Sequence, residues 1–345
     1  NRFVSGIDFT YTDFKRPSFF NGAVDTVDPF SPNQGLFGGG STALQTATIL
    51  DTAFFAEDQF SVTDRLKLVA GTRTDAIHLD REGFTATGAS NALQTFSQNF
   101  TATTWRAGVV YDVLPEATVY GQYATAVDPV SSSLFVARAN QKFELATGMQ
   151  WEVGAKGQFW NKRAEWTVAY FDIVRKNILT QISQIDALNV GRQSSKGVEL
   201  DVAAKLTDAW RIQGNITFLS AKFDKFAQLS GGVPISRNGN RPPEVPQAVA
   251  NLWSIYRVST PIPFDVGAAM RYVGDRYNDP ANTIRLKPYM TADAWMSVPY
   301  KQFWITLRGR NLFDKSYAIF GSQFYPNQVL MGAPRTVELS VMGRF

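Results

Sequence analysis

The chain is 345 residues long, carries a formal charge of +4 and contains no cysteine. Without cysteine there is no disulfide framework, no thiolate metal site and no thiol nucleophile. So small a charge, with no basic run, does not argue for nucleic acid as a partner.

No stretch reaches the roughly 18 apolar residues of a membrane-spanning helix, yet Phe, Trp and Tyr make up 13% of the sequence. That is more than a soluble protein needs, and it suits aromatic girdles at a membrane surface. The chain starts at Asn1 with no initiator Met and no signal segment, as if its start had been processed or trimmed away.

In chain order, the pattern predicts strands at 1–12, 50–61, 65–80, 98–113, 116–127, 148–160, 163–175, 192–206, 209–223, 246–258, 263–275, 287–298, 302–313 and 334–345. Short turns follow every second strand, at 61–65, 114–116, 161–163, 206–208, 259–263 and 299–302. Long polar stretches occupy the alternate connections, at 13–49, 81–97, 128–147, 176–192, 222–246, 276–288 and 316–333. Short turns at one end and long loops at the other are the asymmetry of a bacterial outer-membrane barrel.

Several of these strands alternate with period two. Trp105, Ala107, Val109 and Tyr111 oppose Arg106 and Asp112. Trp151, Val153, Ala155 and Phe159 oppose Glu152, Lys156 and Gln158. Val198, Leu200 and Val202 oppose Glu199, Asp201 and Lys205, and Phe303, Ile305 and Leu307 oppose Thr306, Arg308 and Arg310. In the last strand Val337, Leu339, Val341 and Phe345 oppose Glu338 and Ser340, and the chain stops on the aromatic.

Charges recurring on one face of strand after strand suit a wet lumen, with lipid against the apolar row. Phe60, Trp160, Trp210, Tyr300, Phe303 and Phe345 collect beside the short turns, as a periplasmic girdle would. The strands near 50–60, 165–174 and 247–258 carry apolar residues on both parities; a bulge or a covered lumen face would explain them. The fold class is therefore all-β, an antiparallel transmembrane β-barrel of about fourteen strands, an even number as bacterial barrels require.

The run Leu307-Arg-Gly-Arg-Asn-Leu-Phe-Asp-Lys-Ser-Tyr317, followed by Gly332-Ala-Pro-Arg335, resembles the closing segment of TonB-dependent outer-membrane receptors. Phe55-Ala-Glu-Asp-Gln-Phe60, Ala70-Gly-Thr-Arg73, Trp105-Arg-Ala-Gly108 and Val119-Tyr-Gly-Gln-Tyr123 agree with that family in order. Trp151-Glu-Val-Gly-Ala-Lys156, Tyr170-Phe-Asp-Ile173, Ser195-Lys-Gly-Val-Glu-Leu200 and Asn251-Leu-Trp253 look like its ferric-siderophore branch, especially the hydroxamate and pyoverdine-type members.

The resemblance implies a barrel of about 22 strands with a plugged lumen. Here about fourteen strands are present, with no plug domain and no segment for contacting TonB. Residues 1–345 then form one domain, the C-terminal part of a receptor barrel, and the strands at 1–12 and 334–345 would be left with open edges. A free-standing pore is the other account.

The function implied is import of a ferric siderophore across the bacterial outer membrane, energised by the TonB complex acting on the missing plug. Outer-membrane lipid and the ferric siderophore are the remaining partners. No enzymatic activity and no resident cofactor are implied, since iron travels inside its chelate. The rival readings are a TonB-dependent importer of cobalamin, haem or a glycan, and a passive pore.

A bulky, amide-rich and often anionic chelate calls for aromatic surface and a few cations. Phe14, Arg16, Phe19, Phe20, Phe30, Phe37, Phe135, Arg138, Tyr277, Phe320, Phe324 and Tyr325 are the candidates in the long loops, with 320–325 foremost. The bland reading of these residues is loop packing or an outer girdle. Lumen charges such as Glu152, Lys156, Glu199, Asp201, Lys205, Arg271, Arg308 and Arg310 suit pairing across strands or with a plug more than guiding a ligand. The lone His78 is too little for a metal site. The stretch Gly35-Leu-Phe-Gly-Gly-Gly-Ser41 lacks the Lys and helix of a phosphate-binding loop and reads as an extracellular loop.

Overall fold

Backbone groups surrounded by hydrocarbon have no water to bond, so every strand of a membrane wall must find a neighbour. The structure, a computed structural model, meets this with one fourteen-stranded antiparallel sheet among its described residues, which are 1–17, 28, 31, 43–85, 88–128, 144–181, 187–230, 233–321 and 328–344. The strands are β1 (Arg2–Pro17), β2 (Ala43–Ser61), β3 (Leu66–Gly83), β4 (Phe96–Leu114), β5 (Ala117–Asp128), β6 (Ala146–Phe159) and β7 (Ala164–Gln181). They continue as β8 (Ala187–Lys205), β9 (Trp210–Lys225), β10 (Ala248–Val258), β11 (Phe264–Val273), β12 (Tyr289–Tyr300), β13 (Phe303–Arg310) and β14 (Thr336–Gly343).

Each strand pairs with its neighbours in sequence order. The sheet is not closed: β1 and β14 are its two edges, each paired on one side only. Three small hairpins lie in the long connections, Ala227–Ser230 with Val233–Ser236, Arg276–Tyr277 with Arg285–Leu286, and Ala318–Gly321 with Val329–Met331.

The short turns are built by their own side chains. The Thr63 hydroxyl accepts hydrogen bonds from the Arg65 and Leu66 amides, and the Thr207 hydroxyl accepts from Ala209 and Trp210. One Thr-Asp device thus closes two hairpins. At the β6–β7 turn, Trp160, Asn161 and Lys162 all take positive φ, and the Arg163 amide closes back on the Trp160 carbonyl at 3.0 Å.

Several outward hairpins run further than the alternation predicts. The stretch 176–192, expected as loop, is mostly ladder, with Ile178 opposite Val190 and Gln181 opposite Ala187. Outside the bilayer the strands no longer need an apolar row, so the alternation fades while the backbone pairing continues. The girdle also differs in detail. Phe60, Trp160, Trp210 and Tyr300 are exposed, but Phe303 is half-buried; Phe345 lies outside the described residues.

Two of the three strands with apolar residues on both faces share one explanation on the lumen side. Phe55 of β2 lies opposite Gly6, and Phe171 of β7 opposite Gly197. A Cβ at either glycine would meet the aromatic ring. The same arrangement pairs Tyr120 with Gly154 and Trp295 with Gly267. Each ring fills the place of its neighbour's missing side chain, covering the glycine. In β10, Trp253 and Ile255 sit on the lumen face and line a cavity of about 360 Å³ near the β6–β7 turn.

Between these rings the lumen face carries paired charge. Arg73 reaches Asp75 at 2.7 Å and Asp8 at 3.0 Å, Arg106 pairs with Glu57, and Arg310 holds Glu338 at 2.9 Å. Arg308 stacks over the Trp295 ring at 5.5 Å.

Gly267→Ala is expected to cost about 1–3 kcal/mol in urea unfolding of the folded barrel, because the new methyl meets Trp295. Adding Trp295→Ala should recover part of that loss in a double-mutant cycle. Strictly additive losses would contradict the packing account.

Candidate ligand-binding surface

Three long connections meet at the loop end of β9–β14, through their described residues 226–230 and 233–247, 274–288, and 311–321 and 328–335. The Arg276 side chain, only 4% exposed, joins them. Its Nε donates to Glu244 Oε2 at 2.7 Å, and its Nη2 donates to the Ala318 and Ile319 carbonyls at 2.7 and 2.6 Å. Its guanidinium also lies over the Tyr289 ring at 5.8 Å. Glu244 uses its second oxygen to accept from the Gly321 amide at 2.8 Å, and its own amide donates to the Tyr277 carbonyl. One ion pair, buried on its Arg276 side, therefore ties all three loops, and three of its further hydrogen bonds go to backbone groups.

A second set of bonds fixes the first two loops to each other. Asn282, at positive φ, accepts from the Arg241 amide and donates to the Arg241 carbonyl. Arg241 donates to the Asp275 carbonyl at 2.9 Å and lies over the Tyr277 ring at 5.1 Å. Asp279 caps the hairpin turn by accepting from the Thr283 and Ile284 amides. Asp275 also accepts from Arg285 at 3.1 Å, and that hydrogen bond, with the charges of Arg285 and Arg241, holds its carboxyl below the ordinary carboxylate range.

The motif that carried the family resemblance anchors the third loop. Buried Asn311, at positive φ, donates to the Lys315 and Ala333 carbonyls and accepts from the Lys315 amide. Its own amide donates to Asp293, and Asp314 accepts from the Arg335 amide. Tyr317 then stacks on Tyr289 with ring centroids 4.2 Å apart.

The sequence candidates fall into three groups. Tyr277 is half-buried under Arg241, and Phe320 is exposed on the Ala318–Gly321 hairpin; the ties through Glu244 bring both into the welded loops. Phe14 and Arg16 lie elsewhere, on the lumen face at the outer end of β1, opposite Ala47 and Gln45. Beside them Arg81 donates to Gln45 at 2.9 Å and lies over Phe96 at 5.5 Å.

Phe19, Phe20, Phe30, Phe37, Phe135, Arg138, Phe324 and Tyr325, with the glycine-rich stretch 35–41, lie outside the described residues. His78 stands on the outward rim of β3, its ring nitrogens 2.6 Å from Asn99 Oδ1 and 2.9 Å from Asp80 Oδ2. Sequence reasoning missed Arg241, Glu244 and Arg276. They lie among other loop charges, Arg237, Asp275, Asp279, Arg285 and Lys287, and nothing in their spacing sets them apart.

Outward apolar rows, a charged lumen face, short turns at one end and bonded loops at the other define the wall of a bacterial outer-membrane β-barrel. Residues 1–312 match the family described as TonB dependent receptor-like, beta-barrel, and the chain belongs to that family. It is an outer-membrane protein.

The chain is 29% identical over 283 residues to a probable TonB-dependent siderophore receptor, PiuA, of Acinetobacter baumannii, covering 79% of this chain and 38% of that protein. It is 27% identical over 358 residues to the ferrioxamine B receptor of Salmonella typhimurium, covering 100% of this chain and 48% of that protein. The crystal structure of A. baumannii PiuA shares the fold, with a TM-score of 0.82 at 24% identity over 99% of this chain and 52% of that one. The chain thus spans about half the length of these relatives.

Arg276→Ala is expected to release the three loops from one another, at a cost of about 1.5–3 kcal/mol for the lost hydrogen bond to the part-buried Glu244 carboxylate. Amide exchange at Gly321 should accelerate, while that of mid-strand β11 stays protected. A lowered Asp275 pKa stabilises the loop above the ordinary carboxylate pKa, and that contribution is lost as pH falls through the lower folded value. Exchange protection of residues 275–286 should therefore weaken on acidification in the wild type. Arg285→Ala should raise the pH at which it weakens.

Proposed function

We propose that the chain forms the ligand-facing C-terminal wall of a receptor that imports a ferric siderophore across the outer membrane, energised through TonB. The similarity to a siderophore receptor and to a ferrioxamine B receptor, the latter along the whole chain, carries this reading. The open edges at β1 and β14 support pairing with further strands of a longer barrel, whose plug would contact TonB.

The bonded loops suit capture. They hold Tyr277 and Phe320 on a fixed frame, so little ordering cost remains when a bulky chelate docks. Arginines nearby in the same loops suit an anionic ligand. The ligand class proposed from sequence is a ferric hydroxamate or pyoverdine-type chelate. The ferrioxamine B receptor supports a hydroxamate. The catecholate siderophore receptor Fiu of Escherichia coli, 24% identical over 99% of this chain, matches at a similar level, so ligand class rests on direct measurement.

Uptake of radiolabelled iron presented as ferrioxamine B, as a pyoverdine and as a catecholate chelate provides that measurement. Cells carrying the gene should accumulate one chelate in a TonB-dependent way, and expression should rise on iron starvation. Phe320→Ala should weaken binding of that chelate about tenfold, the loss of one good aromatic contact. Uptake of none of the three, or a steadily open conductance in planar bilayers, would overturn the importer reading.

A further inference from the structure

The wall is not hydrogen-bonded to the same height throughout. The β4–β5 ladder runs from Leu114–Ala117 only to Arg106–Ala124. On either side pairing goes further, to Arg81–Phe96 between β3 and β4 and to Asp128–Ala146 between β5 and β6. Above Arg106, β4 and β5 therefore part. The Thr125 hydroxyl latches the base of this fork, accepting from the Trp105 amide at 2.9 Å and donating to the Trp105 carbonyl at 3.2 Å. Both backbone groups of Trp105 thus point toward β5. Alternate residues of an antiparallel strand point the same way, so those of Thr103, Thr101, Asn99 and Ser97 also face the fork. None of these four has a ladder partner on that side among the described residues.

The fork opens where the lipid-facing row stops. On the outer face of β4, Tyr111, Val109, Ala107 and Trp105 give way to Thr103, Thr101, Asn99 and Ser97. Beyond the hydrocarbon, water bonds a free edge, so the bilayer constraint holds. Such an edge is still a template for another strand, and proteins blunt it with charge, proline or a bulge. The edge strand β1 carries Arg2, Asp8, Asp13, Lys15, Arg16 and Pro17. Residues 97–104 of β4, Ser-Gln-Asn-Phe-Thr-Ala-Thr-Thr, contain no charge, no proline and no glycine, and their register with β3 is unbroken.

A cavity of about 710 Å³ runs along this edge, bounded by β4 from Gln98 to Trp105 and, across the fork, by Tyr123, Val127 and Met149. On the outside, Trp105, Tyr123 and Trp151 form a continuous aromatic shelf, with ring centroids 4.8 and 4.5 Å apart. On the lumen side, Ala102, Ala126 and Gly148 leave room for larger side chains.

We propose that the fork takes up one extended strand of a partner polypeptide, which pairs with β4 from Thr103 to Ser97 and continues the sheet. The occupant follows from the edge itself. Donors and acceptors recurring at strand spacing in the plane of a sheet are matched by another backbone, and by neither a lipid tail nor a rigid chelate. The flanking surfaces call for an uncharged segment, with apolar or aromatic residues where it passes the outer shelf. The inference rests on the wall alone and is independent of which chelate the receptor imports.

The test uses the full-length receptor in detergent micelles. The probe is an acetylated and amidated heptapeptide of alternating threonine and valine, with tyrosine in place of the central valine. In the free receptor the amides of Asn99, Thr101 and Thr103 should exchange quickly, while those of Gln98, Ala102 and Thr104, which face β3, exchange slowly. The peptide should slow the first set. The same peptide N-methylated at two adjacent central residues loses a donor from each edge and should bind about tenfold more weakly or worse. Thr101→Pro removes one fork-facing amide at a position where a free edge tolerates proline, and should weaken binding by about the same factor. Thr101→Val keeps the backbone and should bind as the wild type does. Heat-modifiable migration on gels verifies that each variant is folded. Slow exchange of Asn99, Thr101 and Thr103 in the free receptor, no protection by the peptide, or equal binding of the methylated peptide would overturn the proposal. So would unweakened binding by Thr101→Pro, or protection of these amides by the imported chelate in place of the peptide.

Discussion

The bilayer core offers backbone amides and carbonyls no partner, and unsatisfied groups there cost several kcal/mol each. Everything else in this chain follows from that constraint. The described strands answer it with one ladder in sequence order, joined at one end by turns so short that their own threonines close them. The ladder forces period-two side chains, so each strand sends one row into lipid and the other toward water. β1 and β14 are the places where the constraint is left open, and the outward Ile7 and Val337 there are among the most exposed apolar residues, at 77% and 72%.

Given a wet lumen face, the interior row could have been uniformly polar. It is instead a mosaic of ion pairs and rings laid over glycines. Phe55 on Gly6, Tyr120 on Gly154, Phe171 on Gly197 and Trp295 on Gly267 put bulk on one strand and vacancy on the next. This locks neighbouring strands in register, because a slip would drive each ring into a side chain or leave its glycine bare. The loops apply the same economy at larger scale. Arg276 and Glu244 are costly to bury as charges, yet together they complete hydrogen bonds for the Gly321 amide and the Ala318 and Ile319 carbonyls.

Strand number, order and the division into short turns and long loops were legible because alternation over successive residues is a local signal. Strand ends were less so: beyond the membrane the ladder of β7 and β8 continues after the apolar row has stopped. The motif around Asn311 stood out in the sequence, but its work did not. Only the fold shows one side chain bonding Lys315 and Ala333 at once. The loop junction was invisible for a plainer reason. Glu244 and Gly321 are 77 residues apart, and no periodicity links them. Of the aromatic and cationic candidates, Tyr277 and Phe320 belong to that junction, while Phe14 and Arg16 line the lumen of a distant strand.

No cysteine occurs in these 345 residues, so a single cysteine introduced here, in a receptor with any cysteine elsewhere replaced, measures the central claim directly. Single cysteines at successive positions 198–203 of β8 can carry a spin label in liposome-embedded receptor. Labels at Val198, Leu200 and Val202 should be relaxed by oxygen dissolved in the bilayer. Labels at Glu199, Asp201 and Ala203 should respond to a water-soluble nickel chelate. Strict alternation between the two reagents is the predicted result. The opposite phase, or no alternation, would contradict the account of a wall with lipid on one side and water on the other.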